Sequence, residues 1–541
     1  MNKKFDINCL IKRIIPACLF ILFTITILLM CSVPPVSRDA LTHHLAVPKL
    51  YVEQGGIDEL PNIIFSYYPQ ILDLIYCIPL MFKNDIAPKY IHFFFALLTA
   101  FFIYQYIKKR IGPLHAFIST LFFLSLPVII KLSITVYIDL GLIFFSFASL
   151  LFLLKWREEN FHIKWLILSA IFCGLALSTK YNGLITLFLL TLFTPLVYLH
   201  NNEKKNNTNF YSFVYGVIFF LIAILIFSPW MIKNYVWTKN PVYPLYDSFF
   251  NKSESTVLKP KLNHFQIRKY VYKESGWEIA ATPIRIFFQG KENNPKYFDG
   301  ILNPLLFFLP VLGLICIKNR QVQYTFGKKL LFLFSFFYIM AAFFQNDMRI
   351  RYIGPAIPPL IILSAYGLQN ISQLAKKSLI LSIIIYSLLL VFFSQNFIYL
   401  YKKFQQISPI EYISNKISRD DYIKKYWPEY SALQFANSNL KEDSKLLAFF
   451  LGNRRYYSNH DIDFKTEYYK EIIKNSTTAK EVLLKIKKQK YTNLIVNVDF
   501  TNKWIDTNFI DKEKTLIQTF FNTYTYQLFE KDGFRIYQLK G

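Results

Sequence analysis

FILFTITILLMCSV (Phe20–Val33), followed after Pro34-Pro35-Val36 by Ser37-Arg38-Asp39-Ala40-Leu41-Thr42-His43-His44, is the stretch on which the fold turns. An uncharged apolar run ends on an aspartate and two histidines. An ionisable residue at a membrane boundary is costly unless something uses it, so this junction suggests a membrane enzyme working on a lipid-borne substrate. Outward from it, apolar runs occupy Ile91–Ile107, Ala116–Ile130, Ile134–Leu154, Trp165–Leu177, Leu184–Leu199, Phe213–Phe227, Leu305–Ile317, Leu330–Phe344, Ile353–Leu368 and Leu379–Phe393. Each predicts a helix, several borrowing flanking residues to reach the roughly 20 that cross a bilayer. The expectation is a mainly α, polytopic membrane helix bundle of about eleven spans over residues 1–400. Composition agrees: 53% of the 541 residues are hydrophobic and 18% aromatic, with few charges for a soluble chain of this length.

The net charge of +26 would suit nucleic acid, but its placement does not. Lys3, Lys4, Lys12 and Arg13 precede the first span, and Lys108-Lys109-Arg110 follow the second. Lys155 and Arg157 follow the fourth, Lys204-Lys205 the sixth, Lys318, Arg320, Lys328 and Lys329 the eighth, and Lys376-Lys377 the tenth. Alternate loops are basic, as cytoplasmic loops are. That predicts residence in the cytoplasmic (inner) membrane, with the N-terminus inside and the C-terminus outside. Nucleic-acid binding gives no reason for such alternation. Met1–Ser32 has the basic start and apolar middle of a signal peptide, but no small-x-small cleavage pattern follows, so an uncleaved first span is expected.

From Lys402 the long runs give way to short ones. Lys445–Leu451 and Asn493–Val498 read as strands, and Thr525–Phe529 with Phe534–Leu539 as a hairpin turning at Lys531-Asp532-Gly533. Thr478 is placed to cap a helix running to about Lys488, and Asp511–Phe521 has helical pattern. Residues 401–541 are therefore expected to form a small extracytoplasmic α/β domain. Exterior loops are expected at about 34–85 and 230–303, the second long enough to be a lid or binding loop. The six cysteines lie in or beside apolar runs, with no CxxC or Cys/His spacing, and no Gly-rich phosphate loop exists. No metal, nucleotide or other cofactor is expected.

Arg38-Asp39-Ala40-Leu41-Thr42-His43-His44-Leu45, Val136-Tyr137-Ile138-Asp139, Ser178-Thr179-Lys180-Tyr181, Ser228-Pro229-Trp230, Asn240-Pro241-Val242-Tyr243-Pro244 and Asp347-Met348-Arg349-Ile350-Arg351-Tyr352 stand in that order along the chain. In order and sidedness they resemble the C-type glycosyltransferases, and more narrowly the bacterial branch of glycosyltransferase family 39. That branch is related to protein O-mannosyltransferases and the lipid A aminoarabinose transferase. The resemblance implies transfer of a sugar from a polyprenyl-phosphate donor to an extracytoplasmic acceptor, with inversion at the anomeric carbon. Membrane lipids and a glycan, glycolipid or protein acceptor are the implied partners. The chain departs from the aminoarabinose branch where that branch has Glu-Lys-Pro-Pro: here Ser66-Tyr67-Tyr68-Pro69 stands instead, which weakens lipid A as acceptor.

Asp39 corresponds to the family's first-loop catalytic aspartate, a base for the acceptor hydroxyl; pairing with Arg38 or capping a short helix is the plainer alternative. By resemblance Asp139 orients acceptor or sugar hydroxyls, and an N-cap role for the fourth span fits its position as well. Lys180, Arg349 and Arg351 lie on the exterior side, against the positive-inside trend, and an anionic leaving phosphate would explain them; lipid headgroups or Asp347 are the other partners to consider. Lys49 and Lys233 are weaker candidates of the same kind. His43, His44, Tyr243 and Asp299 are candidate substrate contacts. Asp39 and His43 are spaced like two metal ligands on one helix face, but two are too few. Asp73 reads as the wet face of an interfacial amphipathic helix. A transporter or flippase remains as the rival class, though neither inverted repeats nor mid-span charges are present to favour it.

Overall fold

The computed structural model describes residues 7–202, 207–251, 262–315, 325–345, 348–376 and 378–541. Asp347 and the basic residues Lys3, Lys4, Lys204, Lys205, Lys318, Arg320 and Lys377 lie outside them. The chain divides into two compact units: Met1–Val33 with Ile64–Pro409, and Pro34–Ile63 with Ile410–Gly541.

The first unit is helical. It begins with α1 (Ile7–Cys31); the short α2 (Ala46–Gln54) belongs to the second unit. The helices α3 (Ile71–Met81), α4 (Ala87–Arg110), α5 (Pro113–Ser125), α6 (Pro127–Ser133), α7 (Asp139–Glu158), α8 (Ile163–Thr179), α9 (Gly183–Asn202) and α10 (Thr208–Thr238) follow. Short helices α11 (Asp247–Phe250), α12 (His264–Gln266), α13 (Gly276–Ala280) and α14 (Thr282–Arg285) punctuate the long segment before α15 (Leu305–Leu314), α16 (Thr325–Phe343), α17 (Ile357–Ala375) and α18 (Leu379–Ile407). Each apolar run overlaps a helix, although Ile134–Ile138 precedes α7 rather than belonging to it and Cys316-Ile317 lie outside the described residues. Among the described residues six helices are individually long and apolar enough to cross a membrane, or seven if the bent pair α5–α6 is one span. The expected eleven include shorter helices such as α8 and α15.

Proline explains the main departure. The run Ala116–Ile130 is not one helix: Leu126 takes an extended conformation before Pro127, and α5 and α6 meet at a 66° bend. Of the six long helices α7 is the most enclosed, with 83% of its apolar window buried. Leu72 of α3 rests on Gly141 of α7, where a Cβ would come within 2.5 Å of its side chain. Asp73 is thereby buried, correcting its expected place on a wet interfacial face. Helices α15 and α17 touch backbone to backbone: a Cβ on Gly313 would lie 2.1 Å from the Leu363 carbonyl, and one on Gly367 2.1 Å from the Leu309 carbonyl. Small residues permit the close approach on which helix association in lipid depends.

The long segment between α10 and α15 is tied by charge. Arg268 donates to Glu274 through Nε at 2.7 Å and Nη2 at 3.0 Å, and Arg285 Nη2 reaches the same carboxylate at 3.1 Å. Both guanidinium groups lie near the Phe298 ring, 4.7 and 5.7 Å from its centre.

In the second unit α19 (Pro409–Ile413), α20 (Arg419–Tyr426) and α21 (Tyr430–Asn439) lead into a five-stranded sheet of order β2-β1-β3-β5-β4, α19 beginning at the boundary residue Pro409. Its strands are β1 (Lys445–Phe449), β2 (Asp461–Asp463), β3 (Asn493–Asn497), β4 (Thr525–Lys531) and β5 (Phe534–Leu539). β1 pairs parallel with β2 and β3; β5 is antiparallel to β3 and β4. Leu447, Phe449, Leu494 and Val496 face α22 (Thr466–Lys474), α23 (Ala479–Lys488) and α25 (Asp511–Tyr524), beyond α24 (Val498–Asn508). Leu446, Ala448, Ile495 and Ile536 face the α21 side, so the period-two alternation builds three layers. The expected hairpin is present, Asp532 and Gly533 supplying its two positive φ angles of 53° and 80°. Thr478 caps α23 as expected, accepting from the Glu481 amide. The strand expected to reach Val498 stops at Asn497, whose side chain caps α24 instead.

Segment 34–63 was expected to belong with the membrane part, but groups with this unit, and hydrogen bonds say why. The Leu41 carbonyl accepts from the amides of Arg455 and Tyr456, both at 3.1 Å. Lys49 Nζ donates to the carbonyls of Tyr456 and Ser458 at 3.1 and 2.7 Å, and the Tyr457 hydroxyl to that of Pro35 at 2.8 Å.

Gly367→Ala should cost about 1–3 kcal/mol, the usual range for overpacking, because a backbone carbonyl cannot rotate away as a side chain would. The measurement is the thermal midpoint of the full chain in detergent; an unchanged midpoint would show that α15 and α17 separate freely.

Candidate active site

The start of α7 concentrates charge inside the membrane unit. Asp139 is its first residue, 1% exposed, and accepts from Lys180 Nζ at 2.8 Å through Oδ1. Oδ2 is buried without a hydrogen-bond partner. The N-cap is Ile138, so the capping role open to Asp139 on sequence grounds is not the one it fills. Its carboxylate still sits where the helix dipole favours negative charge. The capping is done from another helix: His92 Nε2 accepts from the Leu140 amide at 3.0 Å. Nδ1 must then carry the proton, donated to the carbonyls of Leu132 and Thr135 at 2.9 and 3.0 Å, and the ring is neutral.

Lys180 is the extended residue that closes α8, and its ammonium lies 5.0 Å from the centre of the Tyr352 ring. Arg351, within electrostatic reach of Asp139, lies between Tyr137 and Tyr352, 5.0 and 5.5 Å from their centres. It is carried on a 3-10 turn, Ile350–Ala356, that lies against α7 because Gly354 has no Cβ to strike Ile143. Two cations thus gather at one buried carboxylate and lie against aromatic faces that also attract them.

Arg349 points to a second carboxylate. Asp299 Oδ2 is 3.6 Å from Arg349 Nη1, and Oδ1 is 3.4 Å from Lys131 Nζ on α6. The amide of Ile350 donates to the Phe298 carbonyl at 2.8 Å, joining this turn of the segment between α10 and α15 to the arginine-bearing one. Tyr243, on the same segment, accepts through its carbonyl from the Tyr181 hydroxyl at 2.8 Å and from Asn234 Nδ2 at 3.2 Å. Its ring stands edge-on to Tyr67 at 4.8 Å, and Tyr68 packs on Tyr181 at 5.4 Å. The stretch Ser66-Tyr67-Tyr68 thus supplies an aromatic wall. Lys233 donates to the Ser66 carbonyl at 2.7 Å, between the indoles of Trp230 and Trp237, and interacts electrostatically with Asp73.

Asp39, His43 and His44 belong to the second unit. Asp39 is half-buried and heads a π-helical turn, Ala40–His44, without capping it through its side chain. Such turns recur at functional sites. The imidazoles of His43 and His44 lie 4.1 Å apart, and His43 Nδ1 is 2.8 Å from the Thr42 hydroxyl. Burial holds the Lys49 ammonium below its ordinary range, against the opposing pull of Glu53. Its bonds to Tyr456 and Ser458 make it a clamp within this unit. Among the described residues no group of three or more His, Cys, Asp and Glu side chains gathers as a metal site.

His92, Lys131, Asn234 and Tyr352 were not singled out from sequence. The signal was there for two of them: His92 is a polar residue opening an apolar run, and Lys131 is a lone charge directly after one.

Solved membrane proteins share this architecture. ArnT from Cupriavidus metallidurans in the apo state aligns with a TM-score of 0.57 at 12% identity, covering 96% of this chain and 98% of ArnT. ArnT bound to undecaprenyl phosphate gives 0.55 at 13% identity, covering 96% and 97%. The Archaeoglobus fulgidus oligosaccharyltransferase tethered to an acceptor peptide gives 0.50 at 12%, covering 96% and 74%. No curated protein matches by sequence. The chain is a polytopic membrane protein with the C-type glycosyltransferase fold. Within that class, residues 81–240 match the family model described as dolichyl-phosphate-mannose-protein mannosyltransferase, a segment that holds His92, Lys131, Asp139, Lys180 and Lys233.

Lys180→Met should strand Asp139 as an unpaired buried charge and destabilise the chain by about 3 kcal/mol. Adding Asp139→Asn should recover most of that loss, a coupling read from thermal midpoints of the two single variants and the double variant. Additive losses would mean that the two side chains do not depend on one another.

Proposed function

We propose that this protein transfers a sugar from a polyprenyl-phosphate-linked donor to an acceptor hydroxyl at the extracytoplasmic face of the cytoplasmic membrane. One observation carries the proposal: a buried cluster in which Lys180 and Arg351 gather at the carboxylate of Asp139 among aromatic rings. A phosphate leaving group is already anionic, so it needs positive charge where its charge develops rather than a proton donor. Lys180, Arg351 and Arg349 are assigned that task. Asp139 fixes Lys180, and its second oxygen is available to a sugar hydroxyl. The ArnT structure with undecaprenyl phosphate, and the mannosyltransferase match across this segment, support a lipid-phosphate donor.

The acceptor oxygen attacks the anomeric carbon from the face opposite the phosphate. The new C–O bond forms as the bond to the phosphate oxygen breaks, which inverts the configuration. The hydroxyl proton passes to Asp39, carried by the second unit and assigned as general base. His43, His44 and Tyr243 are assigned to substrate contact. Asp299, paired with Arg349 and Lys131, is assigned to holding the arginine-bearing turn.

Asp39→Asn should lower kcat for sugar transfer by roughly 10²–10⁴-fold, the range of general-base catalysis, with unchanged membrane insertion. Arg351→Gln should weaken donor use in both kcat and KM. Both are read by transfer of labelled sugar from polyprenyl-phosphate donors to envelope acceptors, alongside mass analysis of envelope glycans and glycoproteins with and without the gene. Identical glycans in the two strains would sink the transferase, and solute flux that follows the gene would favour a transporter.

A further inference from the structure

The far end of α7 holds a second feature that the transfer reaction does not use. Arg157 lies on the same helix as Asp139, ~27 Å along it at 1.5 Å per residue. With His200 on α9 and Lys329 on α16 it lines a cavity of about 510 Å³ whose other walls include Phe193, Leu196 and Leu333. Among the described residues its lining holds no acidic side chain; Glu158, which acts electrostatically on Arg157, is paired with Arg110. The guanidinium and the imidazole share one ring: Arg157 lies 4.0 Å from the centre of Phe326, and His200 stacks on it at 4.9 Å and 14°. Arg157 Nη2 donates to Asn201 at 3.0 Å, while its Nε is buried with no hydrogen-bond partner. A donor held this way has given up water without regaining a bond, a cost that an acceptor in the cavity would relieve.

The apolar surroundings say what kind of acceptor. Phe188, Leu192 and Leu196 recur every four residues on α9 and are 64%, 48% and 59% exposed, a stripe that leads from the cavity along the helix. A neighbouring cavity of about 300 Å³ shares Thr325, Lys329 and Leu333 and continues along α16 past Phe332. Two apolar tracks therefore leave one cationic mouth. A free phosphate would need the mouth and neither track. This end of the bundle is the basic one, which the positive-inside rule assigns to the cytoplasmic leaflet, where anionic lipid attracts clustered lysine and arginine.

We infer that this cavity binds an anionic two-chain phospholipid, its phosphate against Arg157 and Lys329 and its acyl chains along α9 and α16. The site is independent of the transferase assignment, since its readout is lipid binding alone. The test is native mass spectrometry of the full-length protein in mild detergent, titrated with phosphatidylglycerol or phosphatidylcholine. Phosphatidylglycerol should bind roughly tenfold or more tightly, and Arg157→Gln with Lys329→Gln should abolish the preference. Leu196→Trp, an exposed position that keeps every charge, should fill the floor and weaken both lipids, so the outcome does not rest on the charge variant folding. Equal binding of the two lipids by the wild type, or undiminished phosphatidylglycerol binding by the Leu196→Trp variant, overturns the site. Displacement of phosphatidylglycerol by millimolar inorganic phosphate would instead reveal a soluble-anion site and overturn the lipid assignment.

Discussion

A carboxylate at 1% exposure in a membrane protein must be compensated where it stands, and the head of α7 is organised around compensating Asp139. Lys180 provides the hydrogen-bonded counter-charge, Arg351 the longer-range one, the helix dipole a third contribution, and neutral His92 takes over the capping that Asp139 does not perform. Two cations lie at this one carboxylate, each against a tyrosine face.

Rigidity around that cluster comes from contacts too close for larger residues. Gly141 admits Leu72 of α3, Gly354 admits Ile143, and Gly313 with Gly367 lets two helices meet backbone to backbone. In lipid no hydrophobic force drives helices together, so such contacts carry the association. The segment between α10 and α15 reaches similar stiffness differently, through the Arg268–Glu274–Arg285 triad over Phe298, which keeps Asp299 on Lys131 and Arg349. In the second unit a sheet buried on both faces supports the turn that accepts the Asp39 segment, through the Leu41 carbonyl and the Lys49 clamp. The two ends of α7 thus differ in kind: one holds a buried carboxylate on cations, the other sets Arg157 against the Phe326 ring beside an apolar cavity.

Much of this was legible in the linear chain, and the reasons are local. A bilayer imposes a length and a polarity on each helix, so the apolar runs and the basic residues at their ends can be read without knowing any partner. Thr478 and the Asp532-Gly533 turn were legible because caps and turns are settled within four residues. The bend at Leu126–Pro127 is equally local, and was missed because hydropathy counts proline as an interruption of composition rather than of geometry.

What sequence alone determined is therefore the class of the chain: a membrane helix bundle followed by an α/β unit, and a short roster of charged residues at the ends of the apolar runs. Tertiary structure decided the pairings, because they join residues far apart: Asp139 with Lys180 across 41 positions, Lys131 with Asp299 across 168, Lys49 with the carbonyl of Ser458 across 409. It also decided that Asp73 is buried and that segment 34–63 groups with the C-terminal unit. Hydropathy is a property of neighbours along the chain; ion pairs and burial depend on which surfaces meet, and packing alone sets that.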